Sequence, residues 1–304
     1  MPIDDESRDA EQAAAPSAPS VTPQAPAEAV AEPAARGGRH LPTATLVGVG
    51  LLAVIMASLL IRKEVFIVVA AGATCVALWE LDQAFSRRRI RLPLVPLWVG
   101  AFGICLSAYH TGLEGLMVAV MLTIAAAAVW RIVDGGGGAA IRDAAGATFA
   151  VAYLPLMVGF VMLMLASDQG EWKVLLFILL AVANDVGGFF AGTRFGKHPL
   201  APTVSPKKSW EGLAGSFLLT VVVALVGVSL LGLDPVSGVV LGILTPVSAT
   251  LGDLAESLIK RDLGLKDMGS VLPGHGGVLD RIDSMLLTAP FVYVVLTVSS
   301  AAVS

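Results

Sequence analysis

The sequence predicts an all-α fold, a polytopic integral membrane bundle of about nine transmembrane helices. Hydrophobic residues make up 56% of the 304-residue chain and charged residues only 14%, with a mean hydropathy of +0.80. A soluble domain of this length needs a far larger polar surface. The apolar residues also fall into runs of about 20, the length at which a helix crosses the hydrocarbon layer. Finally, Lys and Arg collect in a few short segments between those runs, the pattern of cytoplasmic loops.

Taken in order, residues 1–40 are rich in Ala, Pro and Glu and almost free of large apolar side chains. They cannot bury enough surface to offset their ordering entropy, so a disordered cytoplasmic tail is expected. No basic stretch leads into an apolar core there, which excludes a signal peptide. The membrane domain is expected over 41–304. Its apolar windows, delimited by charges, are 43–61, 65–85, 93–109, 113–130, 147–166, 174–193, 213–232, 236–258 and 284–302. With the N-terminus in the cytoplasm and nine alternating spans, 17 of the 20 Lys and Arg are cytoplasmic, and only Arg62, Lys63 and Lys173 fall outside. Ser304 is then exterior. Cys75 and Cys105 sit in apolar runs without metal-ligand spacing and are expected to pack. The "DGGGGAA" run from Asp134 lacks the Gly-Lys-Ser/Thr ending of a phosphate-binding loop and reads as a connector.

The informative residues break the apolar pattern. Asn184 and Asp185 lie inside the sixth window, where a charge costs about 2.5–3.5 kcal/mol on insertion scales and needs a cavity or a partner. Asp253, Glu256, Ser257 and Lys260 recur at i, i+3, i+4 and i+7, one face of a helix. Asp280 and Asp283 repeat the i, i+3 spacing if the last helix begins near Leu279. Grouped carboxylates repel unless a cation sits among them, and hard oxygen ligands suit Mg²⁺. Lys207, Lys208, Lys260, Arg261, Lys266 and Arg281 supply the opposite charge, a combination suited to metal-assisted phosphoryl or nucleotidyl transfer. In "LPGHGG", Gly276 and Gly277 let the backbone approach a phosphate, and His275 could contact it or move a proton. A glycine turn and helix caps are the plainer alternatives.

From Ser257, "SLIKRDLGLKDMGSVLPGHGGVLDRID" resembles the signature of the phosphatidate cytidylyltransferases, or CDP-diacylglycerol synthases. Ser257, Lys260, Arg261, Lys266, Asp267, Pro273, His275, Gly276, Gly277, Asp280, Arg281 and Asp283 all stand at its offsets. "GDLAES" at 252–257, "SPKKSWEG" at 205–212 and Asn184–Asp185 are similar to further family segments. Phe189 departs from a common tyrosine. Motif-level resemblance spans 184–284.

The resemblance implies a 41–304 catalytic domain in the plasma membrane that makes CDP-diacylglycerol and pyrophosphate from CTP and phosphatidic acid with Mg²⁺, its active site cytoplasmic. It implies Asp253, Asp280 and Asp283 as metal ligands, with Asp185 and Glu256 as polar support. Ser205, Lys207, Lys208, Lys260, Arg261, His275 and Arg281 would meet substrate phosphate. Ser257, Lys266, Gly276 and Gly277 complete the implied substrate site. A monovalent cation such as K⁺ and a homodimer are compatible with the pattern, but no motif demands either, and nothing calls for nucleic acid. Other CTP-dependent lipid cytidylyltransferases, polyprenol kinases and an ion-coupled transporter are the rival readings.

Overall fold

The computed structural model describes residues 41–135, 137–202, 204–272 and 276–303. The expectations for the 1–40 tail, for Pro273 and His275 and for exterior Ser304 lie outside the described residues. Among the described residues nine helices and one hairpin follow in chain order: α1 Leu41–Ile61, α2 Lys63–Ser86, α3 Leu94–Val133, α4 Gly138–Tyr153, α5 Pro155–Ala166, α6 Gly170–Phe195, β1 Pro199–Ala201, β2 Ser205–Ser209, α7 Trp210–Leu230, α8 Pro235–Leu263 and α9 Leu279–Val303.

Among the described residues, seven helical stretches are long and apolar enough to cross a membrane, with α4 and α5 counted together, and Gly48–Ile61 is a shorter apolar helix. That count differs from the expected nine at two places: α1 enters only as Gly48–Ile61, and α3 is a single 40-residue stretch. Straight, it would be about 60 Å long, twice the hydrocarbon thickness. It is not straight. Gly112 has φ 72° and ψ −154°, a conformation that only glycine adopts without strain. A Cβ at Gly100 would lie 2.8 Å from Thr123 Cβ, although the two residues would be about 35 Å apart along a continuous helix. The chain therefore folds back at Gly112, and both limbs pack on α5, where Leu116 and Ile104 meet at Gly159.

The charge-delimited windows truncated three other helices. α4 begins at Gly138 instead of 147, because Asp143 in its second turn is satisfied by Arg131 at 2.6 Å and by the Arg91 N–H at 3.0 Å. α8 continues to Leu263 and α9 starts at Leu279 for the same reason. Their charges find one another instead of water.

Close helix contact positions the polar end of the bundle. A Cβ on Gly187 of α6 would meet the Gly215 carbonyl carbon of α7 at 2.9 Å. Small residues thus bring these two backbones together, as in other membrane helix pairs. Thr220 donates to the Gly242 carbonyl at 2.8 Å, tying α7 to α8, and Ser248 bonds Thr288 at 3.1 Å, tying α8 to α9. Outward-facing Val118, Met121, Leu122, Leu218 and Val226 are exposed, as a lipid-facing surface requires.

The cations separate between the two ends. At one end Arg142 donates to the Arg89 carbonyl at 2.8 Å, and Arg88 donates to the carbonyl of Asp262. The segment after α2, the first turns of α4 and the last turn of α8 therefore meet. At the other end Lys63 pairs with Glu171 at 2.7 Å, and Lys173 bonds Ser167 at 3.1 Å.

Candidate active site

A cleft of about 380 Å³ opens between α6, α7, α8 and α9 at the cation-rich end, lined by Asn184, Asp185, Lys208, Ser209, Asp253, Asp280, Asp283 and Ser284 together with apolar Phe189, Leu200 and Leu213. Its floor is built from helix starts and ends. Ser209 caps α7, its hydroxyl accepting the Gly212 N–H at 3.1 Å. This places the preceding strand, with Lys208, over α8, and Lys208 pairs with Asp253. The Lys207 side chain lies outside the described residues. The strand itself, paired Pro199 to Ser209 and Ala201 to Ser205, was not foreseen from the sequence.

Asp253, Glu256 and Asp283 bring carboxylate oxygens within 4.8 Å of one another. Glu256 is fully buried, Asp283 is 8% exposed, and Glu256 Oε1 receives no hydrogen bond among the described residues. Lys260 Nζ reaches the other Glu256 oxygen at 2.5 Å and Asp280 Oδ1 at 2.6 Å. Two ammoniums, Lys260 and the Lys208 on Asp253, cannot balance the three adjacent carboxylates and Asp280 together. Hard oxygen donors with an orphaned buried lone pair fit a divalent cation.

Asp280 differs from the expected ligand. Its carboxylate accepts the Met268 N–H at 3.1 Å and the Gly277 N–H at 2.8 Å besides its contact with Lys260. It lines the cleft and also holds the loop, while the buried Glu256 is the third acid within 4.8 Å of Asp253 and Asp283. The Gly277 N–H is directed at Asp280 and is not presented to a ligand. Gly276 closes a bridge with Leu272, whose N–H donates to the Gly276 carbonyl at 2.9 Å.

Of the other expected residues, Asp185 lines the cleft and accepts from Asn184 Nδ2 at 3.1 Å. Arg261, Lys266 and Arg281 are exposed on the surrounding segments. Ser205 and Ser257 are half-buried and do not line the cleft.

Glu80 is the residue that sequence reasoning missed. It is 1% exposed on α2 and accepts the N–H groups of Val278 at 3.0 Å and Leu279 at 2.9 Å. Its carboxylate also lies against Gly269 and Gly277. An acid from α2 thereby serves the start of α9, where orphan N–H groups and the helix dipole favour a negative charge. The available signal was an ionisable residue inside the apolar window 65–85.

Comparison with known proteins agrees with this geometry. The cytidylyltransferase family profile matches residues 42–299. The chain is 37% identical over 280 residues to the phosphatidate cytidylyltransferase of Mycobacterium leprae, covering 86% of this chain and 89% of that protein. It is 34% identical over 275 residues to that of Mycobacterium bovis, covering 86% and 90%. A shorter match, 43% identical over 129 residues, covers 40% of this chain and 45% of the phosphatidate cytidylyltransferase of Haemophilus influenzae. A profile that spans the membrane domain, and relatives this similar along most of both chains, make the chain a member of the cytidylyltransferase family and a nucleotidyltransferase.

Proposed function

We propose that the chain transfers a cytidylyl group from CTP to phosphatidic acid in the cytoplasmic leaflet of the plasma membrane. The observation that carries this reading is the cleft itself, where Asp253, Asp280 and Asp283 line one wall with Lys208 on Asp253, Glu256 lies buried behind them, and Phe189, Leu200 and Leu213 form an apolar lip. A charged nucleotide triphosphate and the phosphate of a lipid both find complementary surface there. The names of the long-matching relatives support the acceptor.

In the reaction a phosphate oxygen of phosphatidic acid bonds to the α-phosphorus of CTP, the bond from that phosphorus to the β-phosphate oxygen breaks, and pyrophosphate leaves with the electron pair. The attacking oxygen is already anionic, so positioning and charge neutralisation supply most of the acceleration. Asp253, Glu256 and Asp283 are the residues that would hold Mg²⁺, with the signature's Asp280 at their edge. Bound there, Mg²⁺ supplies neutralisation of nucleotide phosphate charge. Lys208, released from Asp253 when phosphate enters, binds the triphosphate, and Arg261, Lys266 and Arg281 add positive charge around the mouth; the family resemblance adds Lys207 and His275 as further phosphate contacts. Lys260 stays with Glu256 and Asp280 and keeps their carboxylates in place. Asp185 and Asn184 orient polar groups on the α6 side.

The clustering of Arg88, Arg89, Arg131 and Arg142 at the cleft end supports a cytoplasmic cleft by the positive-inside rule. The fold-back at Gly112 supports counting α3 as two spans, which gives nine with α1 and an exterior C-terminus. Residues 41–304 are then one catalytic domain, with 1–40 as its tail.

The test is purified full chain with labelled CTP, phosphatidic acid and Mg²⁺. Stoichiometric CDP-diacylglycerol and pyrophosphate are expected. Turnover with a polyprenol or an ether-lipid acceptor, and none with phosphatidic acid, would replace this acceptor by another.

A further inference from the structure

A second polar cavity, of about 370 Å³, lies at the end of the bundle away from the cleft, lined by Ser167, Gln169, Lys173, Leu231, Thr297 and Ser300, with exposed Asp168 at its rim. Lys173 is only 6% exposed. Among the described residues its ammonium donates to the Ser167 hydroxyl at 3.1 Å, and none of their carboxylates lies within 4.0 Å of it. Two unfavourable terms meet at this residue. The ammonium is buried without a close ion pair, its nearest acid being the exposed Asp168. It also sits in the first turn of α6, where the helix dipole is positive and disfavours a cation. An anion in the cavity relieves both.

The cavity also continues into an apolar groove of about 740 Å³ between α6 and α7, and Gln169 and Leu231 line both. Along α6 the groove runs from Trp172 to Val186, about 21 Å at 1.5 Å per residue. That exceeds the roughly 15 Å depth of one leaflet's hydrocarbon. Trp172, 52% exposed at the start of the groove, is the kind of side chain that settles at headgroup level. An anion-seeking pocket joined to a leaflet-deep apolar groove has the shape and polarity of one lipid molecule.

We propose that this face binds a phospholipid of the leaflet opposite the cleft, its phosphate on Lys173, Ser167 and the start of α6, and one acyl chain in the α6–α7 groove. Hydroxyls of Thr297 and Ser300 complete the headgroup pocket from α9. Because α6, α7 and α9 also build the cleft, such a lipid clamps the far ends of the helices that carry the carboxylates.

Native mass spectrometry of the full chain tests this, with dioleoylphosphatidylglycerol as the probe and dioleoylglycerol, the same chains without phosphate, as the comparison. Wild-type protein is expected to retain the phosphatidylglycerol at least about tenfold better than the diacylglycerol, the size of one charge-assisted contact. Lys173→Met removes that preference, and Lys173→Arg keeps it. Ser300→Trp, which fills the cavity without touching the charge, also removes it, so a folding defect in either variant alone does not decide the matter. Melting temperature in detergent establishes that each variant is folded. Equal retention of both lipids by wild type, or unchanged preference in folded Lys173→Met and Ser300→Trp, overturns the proposal. Full displacement of the phospholipid by excess inorganic phosphate overturns the lipid as occupant in favour of a free anion.

Discussion

At the scale of residues, the cleft separates two kinds of carboxylate, and mutation should separate them too. Asp283→Asn and Asp253→Asn keep shape but lose the charge that would hold a hard cation in the proposed reaction, so turnover should fall by about 10²-fold or more with melting temperature little changed. Asp280→Asn should instead lower the melting temperature as well, since Asp280 accepts two backbone N–H groups and meets Lys260. Lys260→Met leaves Glu256 and Asp280 without their shared cation, a change worth about 3–5 kcal/mol where a buried pair is broken. Glu80→Gln retains one acceptor for two donors and should cost about 1–3 kcal/mol of stability. Its turnover should drop with little change in KM for CTP, because α9 and Asp283 shift while the phosphate-binding cations do not. Arg88→Ala serves as the comparison, its side chain and that of Asp262 being 56% and 78% exposed, a setting worth about 0–1 kcal/mol. Most of these residues were legible in the sequence because a charge in an apolar run has few reasons to be there. Glu80 was not, since its partners are backbone N–H groups of a segment far along the chain, and no spacing encodes such a bond. The choice of Glu256 over Asp280 beside Asp253 and Asp283 was equally hidden. Both fit the helical spacing, and only the loop's backbone donors decide which carboxylate is left facing the others.

At the scale of elements, apolar windows located the helices well and their ends poorly. A boundary between 109 and 113 was visible, and the fold-back centres on Gly112. The start of α4 was set too late because charges were taken as ends, whereas Asp143 is satisfied by Arg131; α9 begins at Leu279, as the spacing of Asp280 and Asp283 required, ahead of the apolar window at 284. The β1–β2 hairpin carries too few residues and too little alternation to register as strands. Two substitutions probe the elements. Gly112→Ala forces a side chain into a positive-φ backbone region held almost only by glycine and should destabilise by about 1–3 kcal/mol, read as a lower melting temperature in detergent. Gly187→Val overfills the α6–α7 contact, which should cost about 1–3 kcal/mol and widen the cleft, lowering turnover beyond what the loss of folded protein explains.

At the scale of the whole molecule, the bundle is polarised, with one end charged and chemically equipped and the other nearly neutral. In a background without Cys75 and Cys105, a cysteine at Ser270 should react with an impermeant thiol reagent only from the cytoplasmic side, and one at Glu114, beside the fold-back, only from outside. Labelling of both from one face would remove the nine-span topology. The bond from Glu80 to the start of α9 also has a meaning in time. Its donors lie 198 and 199 residues further along the chain, and at about 5–20 residues per second a ribosome needs roughly 10–40 s to make that interval. Throughout it α2 carries an ionisable group into the membrane with no native partner, so the nascent chain must keep that helix near water or the insertion machinery. The last helix releases it. A chain that ends before Leu279 should therefore be recognised as unfinished and degraded even if every earlier span has inserted, whereas the same truncation carrying Glu80→Leu should persist.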